Sequence, residues 1–246
     1  LAGGQTSLIK NRGVVAISGE DMEVKPEDVD RAIQAARIVT IPLDREIIGV
    51  IPLQYIVDGY EHIKDPVGML GSRLEVEAYI VTASSASVQT LVRSVKRCGV
   101  DVSGIILDPL ASAEVLLSKE EKEMGVALVD VGGEITDISI FQGANLVYTK
   151  LIPVGGCHIT NDISVGLKVP VSEAESLKRQ YGCASLSMLK NDEDIIINNP
   201  GVGGTKTVTN RELVNIIEAR VQEMYYLINR ELEASGYKNQ IGGGVV

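Results

Sequence analysis

The chain has 246 residues, of which 45% are hydrophobic and 23% charged, so it is globular rather than disordered and long enough for about two ordinary domains. A formal net charge of −10 without a basic stripe argues against a nucleic-acid partner. A small anionic ligand stays open, because backbone N–H groups can hold one whatever the net charge.

In chain order, "RGVVAIS" (12–18) predicts a strand and "KPEDVDRAIQAARIV" (25–39) a helix, with Pro26 in its first turn and Val29, Ile33, Ala36 and Val39 at helical spacing. "REIIGVIPLQYIVDG" and "GSRLEVEAYIVTAS" alternate or run apolar between Gly and Pro breaks, as strands do. Residues 1–83 therefore suit a small α+β module of strand, helix, strand and strand. "SVQTLVRSVKRCG" (87–99) then places Val88, Leu91, Val92 and Val95 on one helical face before a glycine stop. "VSGIILDPLASAEVLL" couples a short buried strand to a second helix, and "SKEEKEMG" (118–125) reads as a solvated connector. "VALVDV", "ITDISIF" and "NLVYTKLIPV" follow closely, joined by "GGE" and "QGA", which predicts an antiparallel meander. Helices are expected over 158–167 and 172–181, then an irregular Gly/Asn/Pro-rich section over 190–210. A long helix capped by Thr209 or Asn210 and stopped by Gly236 comes last. No apolar run approaches the roughly 18 residues needed to cross a bilayer.

Cys98, Cys157 and Cys183 are widely spaced with no CxxC, which suits reduced thiols in a cytoplasmic protein. His62 and His158 lack a metal-ligand pattern, and His158 suits a helix start. The chemistry-bearing stretch is "LVDVGGEITDISIF" (128–141). Asp130 ends a buried strand, and Gly132–Gly133 leave backbone N–H groups with no side chains in the way. Such a turn is either a plain Gly-Gly hairpin or a phosphate cradle with Asp130 placed to orient a hydrated Mg2+. On the long helix, Arg220 and Glu223 share a face and read as a surface ion pair.

"DVGGEITD" resembles the second phosphate motif of the actin-like ATPases. Three further stretches stand in that superfamily's order. "LDPLASA" (107–113) resembles the first connecting motif, "AESLKRQYGCA" (174–184) the nucleoside-contacting helix, and "IGGGVV" (241–246) the start of the adenosine motif. "IPVGGCHITNDISVGLKVPVSEAE" and the opening module, with "VIPLQYIVDGYEHIKDPVGMLGSRLEVEAYIVTAS", are similar to the FtsA family of bacterial cell-division proteins.

The resemblance implies an α/β, actin-like (ribonuclease H-like) two-lobe fold with an inserted α+β subdomain, 1C, at 1–83. The rest of the first lobe would be 84–123, the second-lobe core 124–170 with 236–246, and its outer subdomain 171–235. It implies ATP with Mg2+, held by Asp130 (metal, through water), Gly132, Gly133, Thr136, Gly155, Gly156, Glu175, Lys178, Gly242, Gly243 and Gly244, with Asp108 facing the attacking water. Asp108 stands where a Glu is usual and Glu134 where a third glycine is usual, so slow hydrolysis or none is expected, and ATP would serve as a structural ligand. Glu134 repels a γ-phosphate if it points inward and is harmless if it points outward. The first phosphate loop has no counterpart before residue 85, so this chain by itself is expected to bind ATP weakly or not at all.

The implied partners are the FtsZ C-terminal tail at Arg220 and Glu223, further copies of the protein in a filament, other division proteins, and the inner membrane face through a C-terminal helix outside these residues. Glu212 falls where a basic residue would help hold an acidic tail, with Arg211 beside it as a substitute. The alternatives are a sugar kinase, a DnaK-type chaperone ATPase and a PilM-type pilus-assembly protein.

Overall fold

A computed structural model describes residues 6–19, 21–143, 145–189, 191–199 and 204–246. Residues 1–5 and 20 of the expected N-terminal module, Ala144 of the "QGA" turn, and residues 190 and 200–203 of the polar section lie outside the described residues. Two compact units emerge. The first comprises Leu1–Leu128, Ser139–Thr149 and Gly242–Val246, and the second Val129–Ile138 and Lys150–Ile241.

In the first unit, β1 (Thr6–Ala16), β2 (Arg45–Val57), β3 (Tyr60–Ile63) and β4 (Arg73–Ser84) form an antiparallel sheet of order β1-β4-β2-β3. The period-two pattern of β4 assigns its faces. Leu74, Val76, Ala78 and Ile80 are fully buried in one cluster with Ala32 and Ala36 of helix α1 (Pro26–Ala36). The opposite face carries charges, and Glu75 is almost fully buried between Arg12 and Arg73, each at 2.6 Å. Pro52 sits in β2 where the register slips between Pro52 and Gln54, a bulge that tolerates the missing donor.

The approach of α1 to the sheet is set by Gly13. A Cβ there would lie 2.1 Å from the Ala32 carbonyl oxygen and 2.5 Å from the Ala36 nitrogen, so helix backbone rests directly on strand backbone.

The start of α1 is fixed by Asp28. Its carboxylate accepts from the Lys25 backbone N–H at 3.0 Å, from Ser18 Oγ at 2.6 Å and from Arg31, and is wholly buried. Burial by itself would raise the Asp28 carboxyl, but the donors of Ser18, Lys25 and Arg31 prevail and hold it far below the usual carboxylate range. The stabilisation is thus complete above the unfolded value near 3.9 and is lost as pH falls towards the folded one. D28N is expected to destabilise the protein by about 2–4 kcal/mol at pH 7, with the gap to wild type closing below about pH 4. Urea melts at pH 7 and pH 3 check this, and a gap independent of pH would refute it.

Helix α2 (Ser85–Arg97) follows β4 directly, and α3 (Asp108–Leu116) starts at Asp108 with Pro109 in its first turn. The apolar stretch expected as a short strand before Asp108 is not one, and Leu107 is buried there as the N-cap residue. The expected connector is a short helix, α4 (Lys119–Met124), closed by a capping box in which Ser118 and Glu121 serve each other.

Strands β5 (Val126–Val131), β6 (Thr136–Gln142) and β7 (Asn145–Ile152) form a sheet of order β5-β6-β7. Residues 242–246 run beside the start of β5: Gly242 and Gly243 donate to the Met124 and Gly125 carbonyls, and Ala127 bridges Val245 in parallel.

The second unit holds α5 (Gly156–Leu167), α6 (Val171–Tyr181) and α7 (Asn210–Ala234). Within the expected irregular section, β8 (Asp194–Asn199) and β9 (Gly204–Thr209) pair as an antiparallel hairpin. Ile195, Ile197 and Val208 are buried with Ile163, Leu167, Leu177, Leu213 and Ile217, and each such side chain contributes about 1.5–3 kcal/mol. Among the described residues, no helix is long and apolar enough to cross a membrane.

Candidate functional site

The site of the second unit begins where β5 ends. Gly132 closes a tight turn by donating to the Ile135 carbonyl at 2.9 Å. The N–H groups of Gly133 and Glu134 donate to no described residue, and a Cβ at Gly133 would meet nothing within 4 Å. Asp130 and Glu134 are exposed, and no described residue forms an ion pair with Asp130. The turn thus presents consecutive free donors beside an unengaged carboxylate, a donor set that fits a phosphate and a hydrated cation. Groups of three metal-ligating side chains do not occur among the described residues, so a cation here would take its remaining ligands from phosphate and water.

A second Gly-Gly step is stitched to the first. Gly156 N–H donates to the Gly132 carbonyl at 2.9 Å and Cys157 N–H to the Gly133 carbonyl at 2.7 Å. With both carbonyls of the turn held by the start of α5, the N–H groups are turned to the other side. Thr136 is fully buried, and its hydroxyl donates to the Val154 carbonyl at 2.7 Å. Its place is therefore behind the turn, fastening β6 to the segment that leads into Gly155. His158 caps α5 as its position suggested, with Nδ1 accepting the Gly155 N–H at 3.1 Å.

Glu175 and Lys178 of α6 reach the same place. Lys178 Nζ lies 3.1 Å from the Gly156 carbonyl, 2.8 Å from Thr160 Oγ1 and 2.7 Å from Glu175 Oε2. Thr160 donates to Glu175 at 2.6 Å, and Arg179 holds the other oxygen at 2.8 Å. Lys178 foremost, then Thr160 and Arg179, lower the Glu175 carboxyl to about 2, so it is ionised at every physiological pH. One connected network thus runs from the Gly132–Gly133 turn through Gly156 to Lys178, Thr160 and Glu175.

Asp108, Gly242, Gly243 and Gly244 belong to the first unit. Asp108 is partly buried and accepts from Ser112 Oγ at 3.2 Å. Gly242 and Gly243 use their N–H groups, and Gly244 its carbonyl, to pair with residues 124–127.

On α7, Arg220 donates to Glu223 through Nη1, as the spacing suggested, and also to Asp162 of α5. Asp162 and Thr160 were not legible in the sequence, since each matters only through packing against a distant helix. Glu212 is explained by folding: its carboxylate accepts the Thr209 N–H at 3.0 Å while Thr209 Oγ1 accepts the Glu212 N–H at 3.2 Å. Arg211 is exposed and paired with Asp192.

Comparison with known structures places the fold among actin-like proteins. The PilM-PilN type IV pilus biogenesis complex is similar over 92% of this chain and 55% of that chain, with a TM-score of 0.54 at 16% identity. At the level of sequence, the family described as "SHS2 domain inserted in FTSA" matches residues 3–82, and "Cell division protein FtsA" matches residues 127–243. Cell division protein FtsA of Bacillus subtilis is 43% identical over 99% of this chain and 56% of its own length. Its counterpart in Escherichia coli K12 is 34% identical over 100% of this chain and 60% of its own. The chain belongs to the FtsA family of cell division proteins. It spans between 56% and 60% of the length of those two relatives.

Proposed function

We propose that the whole protein is an ATP-binding, self-assembling adaptor that tethers FtsZ to the inner face of the cell membrane at the division site. ATP and Mg2+ would be held by Asp130, Gly132 and Gly133, with Gly155 and Gly156 backing the turn, Glu175 and Lys178 on the nucleoside side, and Gly242–Gly244 contributing from the adenosine motif. Asp108 would orient water in a slow hydrolysis. Arg220 and Glu223 would dock the FtsZ C-terminal tail. Residues 1–83 would form subdomain 1C and contact the next copy in a filament, 84–123 the rest of the first lobe, 124–170 with 236–246 the second-lobe core, and 171–235 its outer subdomain.

The observation that carries this reading is the pair of stitched Gly-Gly steps, which hold the carbonyls of Gly132 and Gly133 and leave the N–H groups of Gly133 and Glu134 free. When bound, Mg2+ would offset the phosphate charge; the chain's own part is to orient and hold the nucleotide.

Two measurements test the reading. In the full-length protein, E134G is expected to tighten ATP binding about tenfold, as removing a carboxylate beside a phosphate should. Unchanged affinity in calorimetry would show that Glu134 points away from the phosphate. Separately, R220A is expected to weaken binding of an FtsZ C-terminal tail peptide by about a hundredfold, the loss of a charge-assisted contact. Pull-down of the tail by full-length R220A at wild-type level would remove Arg220 from the docking site. Failure of the intact protein to bind the tail would sink the FtsZ assignment and reopen a pilus-type partner.

A further inference from the structure

Arg220 stands at the centre of an ion network with two unlike partners. Its Nε and Nη2 lie 2.5 and 2.9 Å from Oδ2 and Oδ1 of Asp162 on α5, a bidentate fork between two helices. Its Nη1 donates to Glu223 on α7 itself. Together with Ile216 and Ala219 these three residues line a cavity of about 260 Å3.

The two carboxylates differ in what they fix. Asp162 is 30% exposed and engages a whole edge of the guanidinium, which sets both its plane and its position. Glu223 is 50% exposed and meets a single nitrogen from the same helix, a weak pair that solvent screens.

We propose that Asp162 is the positioning residue of this docking site: it locks the plane of Arg220, while Glu223 is the counter-ion that an incoming carboxylate displaces from Nη1. The inference rests on the reading of this α7 face as the site for the FtsZ tail. An acidic side chain of the peptide takes Nη1, and the released Glu223 pairs with a basic residue of the same peptide. Charge pairs are exchanged, so no charge is left unpaired as the peptide excludes water. The arrangement also favours a segment carrying both signs over one carrying either alone.

The test is a fluorescence anisotropy titration of a fluorescein-labelled FtsZ C-terminal tail peptide onto full-length protein carrying D162N, R220K, both, or R220A. D162N is expected to weaken binding about tenfold, even though it removes a negative charge from a site that receives a carboxylate. R220K has no fork for Asp162 to hold, so adding D162N to it should change affinity less than about twofold. A general loosening of the α5–α7 contact would appear in both backgrounds and cancel in this comparison. The positioning role is overturned if D162N leaves binding unchanged or tighter beside Arg220, or if it weakens binding equally in the R220K background. Wild-type affinity in R220A would instead overturn the docking reading, and this inference with it.

Discussion

Gly13→Ala is expected to destabilise the N-terminal sheet and helix by about 3 kcal/mol or more, at the upper end for overpacking. The added methyl would lie 2.1 Å from the Ala32 carbonyl oxygen and 2.5 Å from the Ala36 nitrogen, and helix backbone cannot rotate aside as a side chain does. Relief requires α1 to move off the sheet, which opens gaps around Ala32, Ala36, Val76 and Ala78, all of them fully buried. Gly49→Ala in β2 is the control: nothing lies within 4 Å of its added methyl, so its effect should stay within about 1 kcal/mol. Guanidinium melts of the two variants decide the matter. A Gly13→Ala loss as small as that of Gly49→Ala would show that α1 shifts freely.

The second large effect is expected at Gly155. Its backbone is extended, with φ −165° and ψ −169°, so any residue could adopt it, and the constraint is steric. A Cβ would lie 2.6 Å from the Gly132 carbonyl oxygen and 2.7 Å from that of Gly133, breaking the two hydrogen bonds that join the turns. Gly155→Ala should cost about 2–3 kcal/mol of stability and, in the full-length protein, weaken ATP binding more than about tenfold. Gly133→Ala separates folding from binding. Its methyl would enter open space on the turn, so stability should be nearly unchanged while ATP affinity falls. If Gly133→Ala binds ATP normally, the free side of the turn is not where phosphate sits.

How much of this could be read from residues alone depends on whether a signal is local. The α1 and α7 boundaries were legible because Pro26 and Thr209 act within one turn of their own helix. The α4 helix carried such a signal too, Ser118 three places before Glu121, but its dense charge masked it. The β8–β9 hairpin was missed because Gly and Asn dominate the section, although Ile195 and Ile197 are buried on either side of exposed Ile196, a strand's period. The stretch before Asp108 misled in the opposite way: of its apolar residues only Leu107 is buried, Ile106 is largely exposed, and the segment forms no strand. At the site, the Gly-Gly steps were visible as composition. Their mutual hydrogen bonds, and the grip of Asp162 on Arg220, arise from tertiary packing and leave no trace in spacing.

The parallel pairing of residues 242–246 with the start of β5 constrains the order of events during synthesis. Strands β1 to β4 and α1 are contiguous in the chain and can close while later residues are still inside the ribosome. The first unit as a whole cannot, because its last segment, Gly242–Val246, is translated after every residue of the second. Its completion joins residues separated in sequence by the whole of the second unit and should be the slowest step. The amides this pairing engages, those of Ala127, Gly242, Gly243 and Val246, should accordingly gain protection from hydrogen exchange last, and that of Ala127 should lose it when the chain is shortened before Gly242.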